Sequence, residues 1–375
     1  MRTAILSDLH LGLLSGGDLL RDAGVRRLLL AEIGDADRVV LLGDVVELRE
    51  VAVGTALAAA RPFFEELGAA LGEREVTIVP GNHDHHLAQP LLDDLSLDGA
   101  ALGLAESRDP SPGPTAAIDR WLGPARLRIS YPGVWLRDDV YATHGHYMDA
   151  HLNLPRAECL AVATMLRLSR PLPDPAAPED YERVLRPIYG FAYGVAQARR
   201  HRSAPRHAPS EAAWEMLAGQ GGERGRGRRL GIAAARSGFP LAVATVNKLL
   251  RSQFESDISV ASIFRGGVAG AGEVARRLGV DGGHVITGHS HRAGPGDDEP
   301  EWPLPGGGRL HNTGSWVFSS AFHHPGRPPN SYWPGTVTWV EDEAAPRRVQ
   351  LLADRPSEEI AALAAGIRGA FVHPG

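Results

Sequence analysis

"DRVVLLGDVVE" (residues 37–47) is the stretch on which the fold turns. Four apolar residues in a row, Val39 to Leu42, run into Gly43 and Asp44. A short apolar run closed by a turn signal reads as a buried strand, and its C-terminal end presents Asp44. The same form recurs on either side. "RTAILSDLHLG" (2–12) is a strand ending at Asp8 and His10, and "EVTIVPGNHDHH" (75–86) is a third, ending in a turn with Asn82, His83 and Asp84. Between them, "LLRDAGVRRLLLAEIG" has helical spacing, and "VGTALAAARPFFEELGAALG" is a helix that Pro62 should bend or break. Strand, helix, strand, helix, strand predicts an α/β sheet with parallel connections.

Further along, residues 107–124 are rich in Pro, Ser and Gly and read as a loop, while "VYATHGHYM" (140–148) is another strand and turn. The character then changes. "PRAECLAVATMLRLSR", "PEDYERVLRPIYGFAYGVAQARR", "SEAAWEMLAG" and "FPLAVATVNKLLRSQFES" are helical in pattern, separated by breakers such as "PLPDPAAP" and the basic "GQGGERGRGRRLG". The sheet resumes at "GHVITGHSHR", "GRLHNTGSWV", "GTVTWVED" and "RRVQLLAD", and "SEEIAALAAGIRGAF" forms a last helix. The expected organisation is a core in two parts, 1–150 and 281–375, interrupted by a helical cap at 151–280.

A chain of 375 residues can bury a large core. Its only cysteine is Cys159, which excludes an intramolecular disulfide and suits a reducing compartment. The N-terminus carries an aspartate and a histidine within ten residues and does not read as a signal peptide. No stretch reaches the roughly 18 apolar residues of a membrane span. The expected location is cytoplasmic. Residues 151–280 hold 19 Lys and Arg against 11 Asp and Glu, a net of +8, while the rest of the chain carries −14. A basic middle beside an acidic body suits anionic substrates or peripheral contact with an anionic membrane surface, and a solvated arginine-rich helical region has the same composition. No nucleic-acid module is recognisable, so a nucleic-acid partner is not expected. Composition leaves the oligomeric state open.

Five strand ends carry residues of metal-ligand type: Asp8 and His10, Asp44, Asn82 and His83, His144, and His289 with His291. Strand ends on one edge of an α/β sheet converge on a crevice. Oxygen and imidazole donors without thiolate suit Mn, Fe or Zn. There are enough of them for two divalent ions sharing one carboxylate, the clamp used for phosphoryl displacement. Gly43, Gly81, Gly145 and Gly288 each adjoin a candidate ligand and permit tight turns there.

The ordered set "DLH", "GD", "GNHD", "HGH" and "GHSH" resembles the calcineurin-like metallophosphoesterases over about residues 1–150 and 281–340. The resemblance implies a four-layer α/β/β/α sandwich, here with a helical insertion, and a dinuclear metal centre. Asp8, His10 and His291 would hold one ion, Asn82, His144 and His289 the other, and Asp44 would bridge both. A metal-bridging hydroxide would attack phosphorus in line. His83 would protonate the leaving oxygen or hold the phosphoryl group, with Asp84 orienting it. His146, Asp149 and Arg292 lie near the motifs and are candidates for substrate binding.

The family acts on phosphomonoesters, phosphodiesters and pyrophosphates, so the cap should decide the substrate: a small-molecule, nucleotide or lipid-linked phosphoester. "DLHLG", "GDVVE" and an insertion after "HGHYMD" look like the UDP-2,3-diacylglucosamine hydrolases. Those proteins carry arginine where this chain has His83, and their insertion is shorter. The alternative function is a non-catalytic scaffold of the same fold. Scaffolds tend to lose ligands or the catalytic histidine, whereas here all seven ligands and His83 are present.

Overall fold

The computed structural model describes residues 1–152, 157–198, 260–296, 298–320, 322 and 329–372. The helical patterns "SEAAWEMLAG" and "FPLAVATVNKLLRSQFES" and the basic stretch at 221–231 lie outside them.

The three apolar runs form β1 (Thr3–Leu6), β2 (Arg38–Leu42) and β3 (Glu75–Val79), paired in parallel. Helix α1 (Ala23–Ile33) and helix α2 (Val53–Leu71) connect them. The first is capped by the Asp22 carboxylate, which accepts the Val25 N–H at 2.9 Å. The second continues unbroken through Pro62. A 3-10 turn precedes α3 (Gln89–Asp98). The stretch read as a loop instead holds β4 (Ala105–Arg108) and α4 (Pro114–Leu122). Proline is tolerated in the first helical turn, and Ile118 and Leu122 give that short helix a buried stripe.

The strand that shapes the molecule is β5 (Arg126–Arg137). Its first part pairs with β3 and β4, and its last part pairs with β6 (Val140–Thr143). It therefore belongs to two sheets. The first sheet runs β11 (Arg347–Gln350), β10 (Thr336–Val340), β1, β2, β3, β5, and the second runs β5, β6, β7 (His284–Thr287), β9 (Arg309–Asn312), β8 (Trp302–Pro303).

Three apolar clusters turn this topology into layers. Ile5, Val40, Leu42 and Val79 of the first sheet meet Leu136, Val140, Ala142 and Ile286 of the second, so the sheets pack face to face. The other face of the first sheet is covered by α1, α2, α4 and α8 (Ser357–Val372). The outer face of the second sheet is covered by α5 (Ala157–Leu168), α6 (Pro178–Ala198) and α7 (Val260–Leu278), through Val162, Leu185 and Val274 against Tyr141, Val285 and Leu310. The result is the expected α/β/β/α sandwich. The described helices of 151–280 are its fourth layer and share the buried core of the second sheet.

Candidate metal centre

Asp8, Asp44, Asn82, His144 and His289 each follow the end of β1, β2, β3, β6 or β7 within three residues. The loops are stitched together by backbone hydrogen bonds: Asp8 N–H to Gly43 O at 3.1 Å, His10 N–H to Asp44 O at 2.7 Å, and Gly288 N–H to His144 O at 2.9 Å. The last of these crosses from β6 to β7. Among the described residues, the non-glycine positions with left-handed φ are Asp8 (54°), His10 (45°), Asp44 (51°), His289 (65°) and His291 (58°). Each such residue costs roughly 1–3 kcal/mol. All five are ligands expected from sequence, so the strain is concentrated where side chains are aimed. Gly43, at φ +82°, leaves room for a neighbour as well: a Cβ there would lie 2.3 Å from the His144 ring.

These loops bring all seven expected ligands together. The donor atoms of Asp8, His10 and His291 lie within 4.8 Å of one another, as do those of Asp44, His144 and His289. One oxygen joins the two groups. Asp44 Oδ2 is 3.5 Å from His10 Nε2 and 3.3 Å from His144 Nε2. Asn82 Oδ1 is 3.2 Å from His144 Nε2 and 3.0 Å from His289 Nδ1. His291 Nε2 is 3.2 Å from both Asp8 Oδ1 and His10 Nε2.

The outer nitrogens of three histidines are held by acceptors. His10 Nδ1 faces Glu47 Oε2 at 3.0 Å, His144 Nδ1 faces Leu42 O at 3.0 Å, and His289 Nε2 faces Asp149 Oδ1 at 2.9 Å. Each outer nitrogen donates its hydrogen, so once the ring is neutral it is the inner nitrogen that offers a lone pair to a cation. With the imidazoles neutral, the inner face sets acceptors against acceptors, His291 Nε2 against buried Asp8 Oδ1 among them. Turning the Asn82 amide over would let its nitrogen donate to His289, His144 and Asp44. With a cation at the centre, the amide oxygen is the end that serves. The residues present fit divalent ions.

The electrostatics state the same demand for positive charge. Burial would lower the His10 and His144 pKa values. The Glu47 bond and the Asp44 charge lift His10 to about 9, and Asp44 lifts His144 to about 10. Burial would raise Asp8 and Asp44. His291 holds the first below the usual carboxylate range, and His144 and His83 hold the second well below it.

Two second contacts differ from the sequence reading. Asp84 does not touch the His83 ring. Its carboxylate accepts the N–H groups of Gly81 (2.7 Å), Val45 (2.7 Å) and Asp44 (3.2 Å), so it locks the β2 and β3 loops to each other. Burial and the Asp44 charge push its pKa up to about 6 against the pull of those amides. The residue that holds His83 is Glu47, which the sequence reading had not singled out: Glu47 Oε2 lies 2.6 Å from His83 Nδ1, besides holding His10. Burial would raise Glu47, but His83 and His10 outweigh it and keep it ionised. Its sequence signal was a carboxylate three residues after Asp44 in an otherwise apolar run.

The three substrate-binding candidates are otherwise engaged. His146 is buried against Tyr131, with Nε2 at 3.1 Å from the hydroxyl. Asp149 is spent on His289. Arg292 is paired with Glu299 and lies 3.8 Å over the Phe264 ring. All three side chains are buried. Asn312 braces the "GHSH" turn, donating to Gly288 O at 2.6 Å and Ser290 Oγ at 3.1 Å.

The profile of the calcineurin-like phosphoesterases matches residues 1–293, and the chain belongs to that family. No curated protein matches it. A similar solved structure, a dimetal phosphatase from Danio rerio, is 12% identical over 94% of this chain and 99% of that one, with a TM-score of 0.32.

Proposed function

We propose that this chain is a metal-dependent phosphoesterase that hydrolyses a phosphomonoester, phosphodiester or pyrophosphate bond. The observation that carries the proposal is the single Asp44 oxygen set 3.5 Å and 3.3 Å from the inner nitrogens of His10 and His144. Asp8, His10 and His291 would hold one ion, Asn82, His144 and His289 the other, and Asp44 both. Two such ions, drawn from Mn, Fe or Zn by this donor set, would polarise the phosphoryl group and supply a nucleophile from water at neutral pH. His83 stands beside Asp44 through its own backbone, which donates to Asp44 Oδ1 at 2.8 Å. With Nδ1 held by Glu47, its Nε2 is the nitrogen left to protonate the leaving oxygen or to hold the phosphoryl group.

Residues 1–150 and 281–375 supply every candidate ligand, so we assign the choice of substrate to 151–280. The substrate is a small-molecule, nucleotide or lipid-linked phosphoester. His83 in place of arginine argues against a UDP-2,3-diacylglucosamine substrate. No described helix is long and apolar enough to cross a membrane, and we place the protein in the cytoplasm on its lone, buried Cys159. The test is turnover of a chromogenic phosphodiester and a monoester by manganese-loaded protein. Wild type should hydrolyse at least one. His83→Ala should keep its metal and lose about 10²–10⁴-fold in kcat. Two bound ions without turnover of either ester would favour the scaffold reading or a very narrow substrate, and an unchanged kcat in His83→Ala would remove that residue from the mechanism.

A further inference from the structure

The two candidate ion positions are braced by different parts of the chain. Around the first, Glu47 holds His10, and Asp8 lies against the Ser7 hydroxyl. Glu47 is itself fixed by the N–H groups of Arg49 and Glu50, at 2.9 Å and 3.0 Å. These residues all belong to the β1 and β2 loops. Among the described residues, the third ligand, His291, meets the helical layer only through its neighbour Arg292, stacked 3.8 Å over Phe264, with no carboxylate of that layer on its ring.

Around the second, the braces lead to the helical layer. His289 is held by Asp149, at 2.9 Å. Asp149 lies in the 3-10 turn His146–Ala150, and that turn packs on α7 closely enough that a Cβ at Gly270 would meet the Met148 carbonyl at 3.3 Å. Asn82 and His144 each stand three residues before a side chain that donates to one carboxylate, Glu182 of α6. His85 Nε2 reaches Glu182 Oε2 at 2.9 Å, and the Tyr147 hydroxyl reaches Oε1 at 2.8 Å. Tyr131 of β5 donates to the same oxygen. Glu182 is buried. Burial would raise its pKa, but His85 and the two hydroxyls outweigh it and keep the carboxylate ionised. One helix residue therefore clasps the two loops that carry Asn82 and His144, and a second carboxylate holds the third ligand.

We propose that the second ion position, unlike the first, is set by the helical layer through Asp149 and Glu182. The inference rests on the dinuclear reading above. It makes both carboxylates positioning residues: Asp149 fixes the His289 tautomer, and Glu182 fixes the relation of two ligand loops.

The test uses two isosteric variants, Asp149→Asn and Glu182→Gln, so that failure of one to fold leaves the other. Each is titrated with manganese in solution, and crystals soaked at the manganese concentration that just saturates wild type are read by anomalous scattering, which locates each ion. Wild type should show both positions filled. Each variant should keep the ion beside Asp8, His10 and His291 and bind the ion beside Asn82, His144 and His289 about 10–100-fold more weakly. Two ions at wild-type affinity, or equal weakening of both positions, would overturn the proposal. A wild-type protein that binds fewer than two ions would instead defeat the dinuclear reading beneath it.

Discussion

His10 and His144 hold protons at neutral pH for the same reason that they would hold metal. Each faces buried carboxylates, and their pKa values of about 9 and about 10 record it. A cation and a proton therefore compete for the same lone pairs. The metal-free protein gains stability from these protons. A folded-state pKa above the free value of 6.5 gives a contribution fully present below 6.5 and lost as pH rises through 9 to 10. Manganese affinity should run the other way, tightening from pH 6.5 to 8.5, with protons released on binding. Calorimetry in two buffers of different ionisation heat measures both, and an affinity independent of pH would contradict it. At this scale the ligand types were legible because each sits directly after an apolar run. Their partners were not. Asp84 adjoins His83 in sequence yet serves backbone amides, whereas Glu47 reaches His83 from another loop. Spacing along a chain reports neighbours, and loop packing decides contacts.

The elements make the site by ending close together. Gly288 shows how tight that approach is: a Cβ there would lie 1.8 Å from Ser7 Oγ and 2.5 Å from Asp8 Oδ2. Gly288→Ala should destabilise the protein by about 1–3 kcal/mol and weaken binding at the Asp8 side. Gly190→Ala is the control. It lies in α6 with nothing within 4 Å of the added carbon, and it should be neutral or stabilising by about 0.5–1 kcal/mol. Thermal melting with and without manganese compares them, and equal effects would show that Gly288 is not a packing constraint. The strands β1, β2, β3, β6 and β7 were readable from unbroken apolar runs. Strand β5 was not, because Pro132 and Gly133 interrupt it where it passes from one sheet to the other. Helix α4 was hidden by the Pro and Gly that begin and end it.

At the scale of the molecule, two sheets that share β5 put loops from both on a single crevice, and a helix layer from 151–280 closes the outer face of the second sheet. The sandwich was legible through its family resemblance. The role of α5 to α7 was less so, since amphipathic helices look alike whether they cover a site or complete a core. What both sheets jointly build is a centre around one shared oxygen, Asp44 Oδ2. The direct measurement is metal content and turnover in Asp44→Asn beside wild type. Wild type should bind two manganese ions per chain as a spin-coupled pair and hydrolyse phosphoester. The variant should lose the coupling and at least about 10³-fold in kcat. A variant that keeps two coupled ions and wild-type turnover would contradict the account.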